Sequence, residues 1–231
     1  MNVNYTDMIA TFGIGGAHPG GLSATKHIVD RLQLAPDEKV LDVGCGNGQT
    51  LEYLANTLPN PLYGIDQHNT MLANAKKRLK DHPSITLKHA DIENLPFPNN
   101  YFGLILSESV TAFTPIDLAL KEYARIIKDN GNLILLEMTT NDTLKQEEQL
   151  EIEDFYRIPQ LLTKEMWCDS IRKAGFQIIS VEAIPDHLEN IIDFDLQTVI
   201  SQRHFELMAT HYHLTEKYKS TLSSRLYYCK K

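Results

Sequence analysis

The stretch Val40-Leu41-Asp42-Val43-Gly44-Cys45-Gly46-Asn47-Gly48 constrains the fold of this chain more than any other. Val40, Leu41 and Val43 are a short apolar run suited to a strand covered on both faces. Glycines at every second position then remove the Cβ where the chain must turn sharply, and they let a ligand approach the backbone. The residues from about Gln49 to Leu58 predict a helix whose first amides point back at the turn. Strand, glycine turn and helix together make a nucleotide-type pocket.

The rest of the chain repeats that alternation. Pro36-Asp37-Glu38 is a turn into the first strand, and Pro59-Asn60-Pro61 stops the following helix. Leu62 to Ile65, ending at Asp66, reads as a second strand, and Ile85 to His89 as a third. A helix is predicted over Gln67 to Lys80, with Met71, Leu72, Ala75 and Leu79 on one face and lysines outside. Asn94 to Asn100 is a loop; Tyr101 to Leu106 is a fourth strand with an exit loop from Ser107 to Thr114; Ile116 to Lys128 is a helix and Leu133 to Met138 a fifth strand. This order predicts an α/β fold, doubly wound around a mostly parallel sheet with helices on both faces.

Beyond Thr139 the regularity pauses. Asn141 to Gln160 is acidic and helix-prone, a plausible lid. Thr163 is placed to cap a helix to Ala174 that Gly175 ends, and Phe176 to Ala183 reads as a strand. Asp186 to Ser223 is mostly helical by pattern, and Arg225 to Cys229 reads as a last strand. At the other end, Phe12 to Gly21 holds five of the twelve glycines. It is either a flexible leader, with Ser23 capping a helix from about Ala24 to Leu34, or a loop folding over a ligand. The expected organisation is a single domain: 1–35 as glycine-rich loop and helix, 36–140 as cofactor-binding core, 141–165 and 186–223 as lid or acceptor elements.

Composition excludes some roles. A net charge of −8 over 231 residues argues against a protein living on a nucleic-acid backbone. Met1 to Phe12 carries no signal-peptide pattern, and no window approaches the roughly 20 apolar residues of a membrane span. Cys45, Cys168 and Cys229 lie far apart and read as free thiols of a cytoplasmic protein.

Acidic residues mark the ends of successive strands: Asp42 within the first, Asp66 after the second, Asp91 after the third. Ligands of open parallel sheets bind outside those carboxyl ends. Asp66, 18 positions after Gly48, is placed to accept both hydroxyls of a ribose. Asp91 is placed to accept from an adenine amine, with Ile92 packing on the ring. Taken singly, Asp66 reads as a helix cap and Asp91 as a turn residue. The spacing G-x-G-x-G differs from the dinucleotide pattern G-x-G-x-x-G, and a carboxylate two residues before the first glycine suits an ammonium better than a pyrophosphate. S-adenosylmethionine has both an adenosine and an amino-acid end.

Val40 to Gly48, Gly64-Ile65-Asp66, His89-Ala90-Asp91, Leu95-Pro96-Phe97-Pro98 and Arg125-Ile126-Ile127-Lys128 before Gly131 resemble the successive motifs of class I S-adenosylmethionine-dependent methyltransferases. The nearest branch is the small-molecule one that includes quinone-biosynthesis enzymes. The resemblance covers about Glu38 to Met138. It implies a Rossmann-like seven-stranded sheet whose last strand, Leu226 to Lys230, is antiparallel. It also implies that Asp42, Gly44 and Gly46 contact the methionine end, Asp66 the ribose, and Asp91 and Ile92 the adenine, with Ser107 bordering the cofactor and Cys45 a wall residue. Gly48, Gln67 and Met71 complete the expected cofactor set. Gly103 departs from the family, which usually has Asp there.

A sulfonium methyl is already activated, so alignment supplies most of the acceleration, and a base is needed only where the acceptor loses a proton. His18, Glu108, Tyr156 and His187 are the candidates, with His18 and Glu108 expected to border the site. His204, His211 and His213 complete no metal-ligand spacing and read as a polar helix face. The expected function is methyl transfer to a small-molecule acceptor. The alternatives are methylation of RNA or protein and a non-catalytic S-adenosylmethionine-binding regulatory module; a nicotinamide oxidoreductase is disfavoured by the glycine spacing. Oligomeric state stays open.

Overall fold

The computed structural model describes residues 3–185, 188, 193, 194 and 200–231. Five strands pair in parallel: β1 (Val40–Val43), β2 (Leu62–Asp66), β3 (Thr86–His89), β4 (Phe102–Glu108) and β5 (Ile127–Thr140). β6 (Gln177–Ala183) and β7 (Leu222–Lys230) complete one sheet in the order β3-β2-β1-β4-β5-β7-β6, with β7 antiparallel to both neighbours. The strand order reverses between β1 and β4, and that is where an open α/β sheet forms its binding crevice.

Alternation along the strands divides the core between the two faces. Val40, Leu104, Leu106, Ile134 and Leu136 pack with Ile28 of α2 (Gly21–Val29), Leu51 and Leu54 of α3 (Gln49–Thr57) and Leu72 of α4 (Asn69–Arg78). Leu41, Val43, Ile105, Leu133 and Leu135 face the other way. There they meet Leu120 and Tyr123 of α5 (Ile116–Ile126), Ile152 of α6 (Gln146–Tyr156), Trp167 of α7 (Lys164–Lys173) and Leu214 of α8 (Gln202–Lys217). Trp167 is fully buried and donates its indole N–H to the Met138 carbonyl at 3.0 Å, which pins α7 to β5. Thr163 caps α7 by accepting from the Met166 amide at 3.3 Å.

The loop Leu95-Pro96-Phe97-Pro98 is held by one guanidinium. Arg125 donates to the carbonyls of Phe97 at 2.7 Å and Leu95 at 2.8 Å, and pairs in a fork with Glu122. Gly103 has a local reason: a Cβ there would stand 2.7 Å from the Glu38 carboxyl carbon, so only glycine lets β4 pass beneath that side chain.

Several boundaries differ from expectation. The first residues form a helix, α1 (Tyr5–Phe12), rather than a leader or loop throughout. Asn4 accepts from the Asp7 amide at 2.9 Å while Asp7 accepts from the Asn4 amide at 3.1 Å, a reciprocal capping box. α2 starts after Gly20, not at Ser23, and ends at Val29. α4 begins at Asn69 because Asp66 takes the His68 amide at 2.7 Å, and its last turn tightens to a 3-10 turn over Leu79–Asp81. β4 extends to Glu108, taking Ser107 and Glu108 out of the exit loop, and β5 runs from Ile127 through the Asp129-Asn130-Gly131 turn. In the segment expected to be helical from Asp186 to Ser223, the helix among the described residues is α8; Asp193 instead bridges Gly15, and β7 already begins at Leu222. No helix among the described residues is long and apolar enough to cross a membrane.

Candidate active site

β1 leaves the sheet through Gly44, whose φ of +65° is open to glycine, and a Cβ there would stand 2.4 Å from Cγ2 of Val110. The turn is then tied to β2: the Cys45 amide donates to the Ile65 carbonyl at 2.8 Å, and the Gly46 amide donates to Asp66 Oδ2 at 2.9 Å. Asp66 therefore spans the glycine turn and the start of the next connection, since its Oδ1 holds the His68 amide. Burial holds the Asp66 carboxyl above the usual carboxylate range, against the pull of those two amides.

A cavity of about 460 Å³ lies over the carboxyl ends of the strands. Asp42, Gly44, Cys45, Gly46, Asp66, Gln67, Met71 and Ile92 line it, together with His18 and Glu108. Gly48, Asp91 and Ser107 do not lie on its wall. Gly48 is turned toward Ala75 and Leu79 of the α4 end. Asp91 is exposed and accepts from the Glu93 amide at 2.9 Å, an Asx turn. Ser107 is fully buried, 2.8 Å from the Thr111 hydroxyl and accepting from Tyr123 at 3.4 Å.

The glycine-turn end is acidic. Asp42 is buried, its Oδ2 has no hydrogen-bond partner among the described residues, and its carboxyl is pushed well up by burial and then by Glu108 and Asp66. Gln49 Oε1, at the start of α3, is a second buried acceptor without a partner. Two orphaned acceptors beside a cluster of carboxylates call for a donor-rich cation, the role an α-ammonium group fills. Glu108 accepts from the Thr25 hydroxyl at 2.9 Å and the Thr50 hydroxyl at 3.1 Å, and its Oε2 is 3.8 Å from His18 Nε2. Burial also drives the Glu137 carboxyl up to about 7, although the Thr111 amide at 2.8 Å and those of Val110 and Ala112 at 3.3 Å favour its charge.

The N-terminal glycines close over this end. Asn47 of the glycine turn donates to the Gly13 carbonyl at 2.9 Å, and Gly15 pairs with Asp193. Gly16 and His18 thereby reach the cavity wall.

The far end is aromatic. Tyr5 and Ile9 of α1, Phe113, Tyr156 of α6, Ile158 and His211 of α8 line it. Tyr5 stacks with Phe113 at 6.2 Å between centroids and stands edge-on to Tyr156 at 4.9 Å. The Tyr156 hydroxyl lies 2.9 Å from His211 Nδ1. Of this group the sequence singled out Tyr156 as a candidate base and His211 only as one of three histidines on a polar helix face; α1 was readable from the Asn4–Asp7 box, whereas nothing local pointed to the pairing of His211 with Tyr156. His204 instead bonds to Ser201 at 2.7 Å, no set of three metal-ligating side chains clusters among the described residues, and His187 lies outside them.

Comparison with known proteins finds relatives in sequence and in fold. The family described as "Methyltransferase domain" matches residues 41–135. The uncharacterised methyltransferase YodH of Bacillus subtilis is 34% identical over 218 residues, covering 93% of each chain. Phosphoethanolamine N-methyltransferase of Plasmodium falciparum is 24% identical over 187 residues, covering 80% of this chain and 70% of its own. In fold, the chain resembles Haemonchus contortus phosphoethanolamine N-methyltransferase 2 in complex with phosphomonomethylethanolamine and S-adenosylhomocysteine. The TM-score is 0.80 at 19% identity, covering 98% of this chain and 57% of that one.

Proposed function

The chain belongs to the class I S-adenosylmethionine-dependent methyltransferases, and we propose that it passes the donor's methyl group to a small-molecule acceptor held in the aromatic half of its cavity. The observation that carries this reading is one continuous cavity. It joins a glycine turn with orphaned acceptors at Asp42 and Gln49 to an apolar end walled by α1, α6 and α8.

S-adenosylmethionine supplies an electrophilic methyl on a sulfonium. The protein's part is to hold both reactants in line and to exclude water. We assign Asp42 and Gln49 to the ammonium, Asp66 to the ribose hydroxyls, and Ile92 and Met71 to the adenine faces. Glu108 and His18, the groups expected to serve as base, stand beside Asp42, and Glu108 already accepts two threonine hydroxyls. We place them at the donor's amino-acid end, where a carboxylate held between hydroxyls strengthens the field felt by a cation. α1 and the glycines after it serve as the lid, clasped by Asn47. Three buried free thiols accord with a cytoplasmic setting.

Calorimetry tests this directly. S-adenosylmethionine and S-adenosylhomocysteine should bind while NAD does not, and tight NAD binding would overturn the assignment. Small-molecule acceptors of different charge are then assayed in parallel, a phosphobase like the one in the Haemonchus complex among them. Release of S-adenosylhomocysteine is the readout.

A further inference from the structure

The charge of the cavity wall bears on the chemistry of the acceptor, and this inference rests on the methyl-transfer reading above. Among the described residues the wall carries no Lys or Arg side chain. The remaining residues, 1–2, 186–187, 189–192 and 195–199, contain neither in their sequence. The acidic members are four: Asp42, Asp66, Glu108 and Glu137.

The basic groups on the wall are imidazoles. Both His18 ring nitrogens are buried without a hydrogen-bond partner among the described residues, but the ring lies at the acidic end of the cavity, 3.8 Å from Glu108; His68 faces Asp7 at 3.5 Å. His211 is held below its ordinary value by burial, so it is neutral at physiological pH. A phosphate monoester carries close to two negative charges near pH 7. Moving it out of water needs a cationic partner of the kind arginine supplies, and none is offered.

What the far end does offer is apolar. The Tyr5 and Phe113 rings, stacked on one another at 6.2 Å between centroids, form an aromatic wall there with Ile9 and Ile158. Among the polar groups that α1, α6 and α8 place on the wall are the neutral pair of Tyr156 and His211, 2.9 Å apart through Nδ1, and the hydroxyls of Thr6 and Thr215. In either tautomer the neutral pair keeps one acceptor free for a further polar hydrogen: the Tyr156 oxygen when its hydroxyl donates to Nδ1, or His211 Nε2 when Nδ1–H donates to the tyrosine. A neutral pair on an apolar wall discriminates strongly for a group that satisfies it, because leaving it unpaired is costly.

We propose that the acceptor is an uncharged and largely apolar molecule presenting a hydroxyl or neutral amine to the Tyr156–His211 pair, and that phosphate esters are excluded from the cavity. The preference belongs to this wall and to these two residues.

Three matched probes test it by calorimetry on protein saturated with S-adenosylhomocysteine: 1-naphthol, 1-methoxynaphthalene and 1-naphthyl phosphate. Naphthol should bind at least tenfold tighter than the phosphate and at least threefold tighter than the methyl ether. Tyr156→Phe keeps the ring packing and should abolish the naphthol–ether difference while S-adenosylhomocysteine affinity holds, with a melting temperature lowered by the lost hydrogen bond. His211→Phe should do the same if the tyrosine variant unfolds. Equal or tighter binding of the phosphate, saturable binding of phosphoethanolamine, or no binding of naphthol would each overturn the proposal while leaving methyl transfer standing. Failure to bind S-adenosylhomocysteine would refute the methyl-transfer reading and this inference with it.

Discussion

Replacing Asp66 by alanine should separate cofactor binding from folding. In the free protein the side chain accepts two backbone amides, Gly46 at 2.9 Å and His68 at 2.7 Å. Each bond to a charged acceptor is worth ~1.5–3 kcal/mol. The carboxyl is nevertheless pushed upward by burial, so desolvation already cancels much of that gain before ligand arrives. We therefore expect Asp66→Ala to cost the fold only ~1–2 kcal/mol, with both amides reachable by water from the cavity. Binding has no such offset, because the ribose hydroxyls lose their acceptor outright. A loss of ~1.5–3 kcal/mol corresponds to roughly 13- to 160-fold weaker affinity. Calorimetric titration with S-adenosylhomocysteine, beside thermal melts of both proteins, reads the two effects separately. A folded variant whose affinity stays within about twofold of the parent would remove Asp66 from the site. Asp66→Asn should rescue only in part, since its amide N–H₂ must face one of two backbone donors.

Other perturbations reach the same frame. Gly44→Ala forces a Cβ to 2.4 Å from Val110 at a positive φ, and should cost ~2–4 kcal/mol in urea unfolding, the sum of backbone strain and overpacking. Glu137 is protonated up to about 7 when folded against 4.5 for the ordinary side chain, so the native state holds the extra proton in between. Its contribution to stability is fullest below about 4.5 and is lost as pH rises to about 7, by ~3 kcal/mol at most; thermal melts of Glu137→Gln should show a flatter pH profile there. Arg125→Lys keeps the charge but loses the fork that bonds Glu122, Leu95 and Phe97, and should lower unfolding free energy by ~1–3 kcal/mol in a denaturant titration.

The glycine-turn half of the cavity is local in sequence, and that is why its wall residues could be named there. Asp42, the glycines and Asp66 lie at strand ends whose period and turn chemistry are written in neighbouring residues. Gly103 looked like a departure because its cause, Glu38, packs across from another segment. Asp91 and Ser107 were placed by motif position; in the structure Asp91 accepts the Glu93 amide in an Asx turn and Ser107 joins the hydroxyl network of Thr111 and Tyr123. The acceptor half is assembled from α1, the turn at Phe113, α6 and α8, separated by up to two hundred residues, and no local pattern couples them.

By itself, then, the sequence determined an alternating sheet, a glycine turn between an apolar strand and a helix, and an acidic cluster suited to a cationic adenosine donor. Those follow from short-range period, backbone freedom and charge. Only the tertiary structure decided that Tyr156 meets His211, that Asn47 clasps Gly13, and that no lysine or arginine reaches the cavity wall among the described residues. Such facts depend on which helices cover which strand ends, and packing of the whole chain settles that.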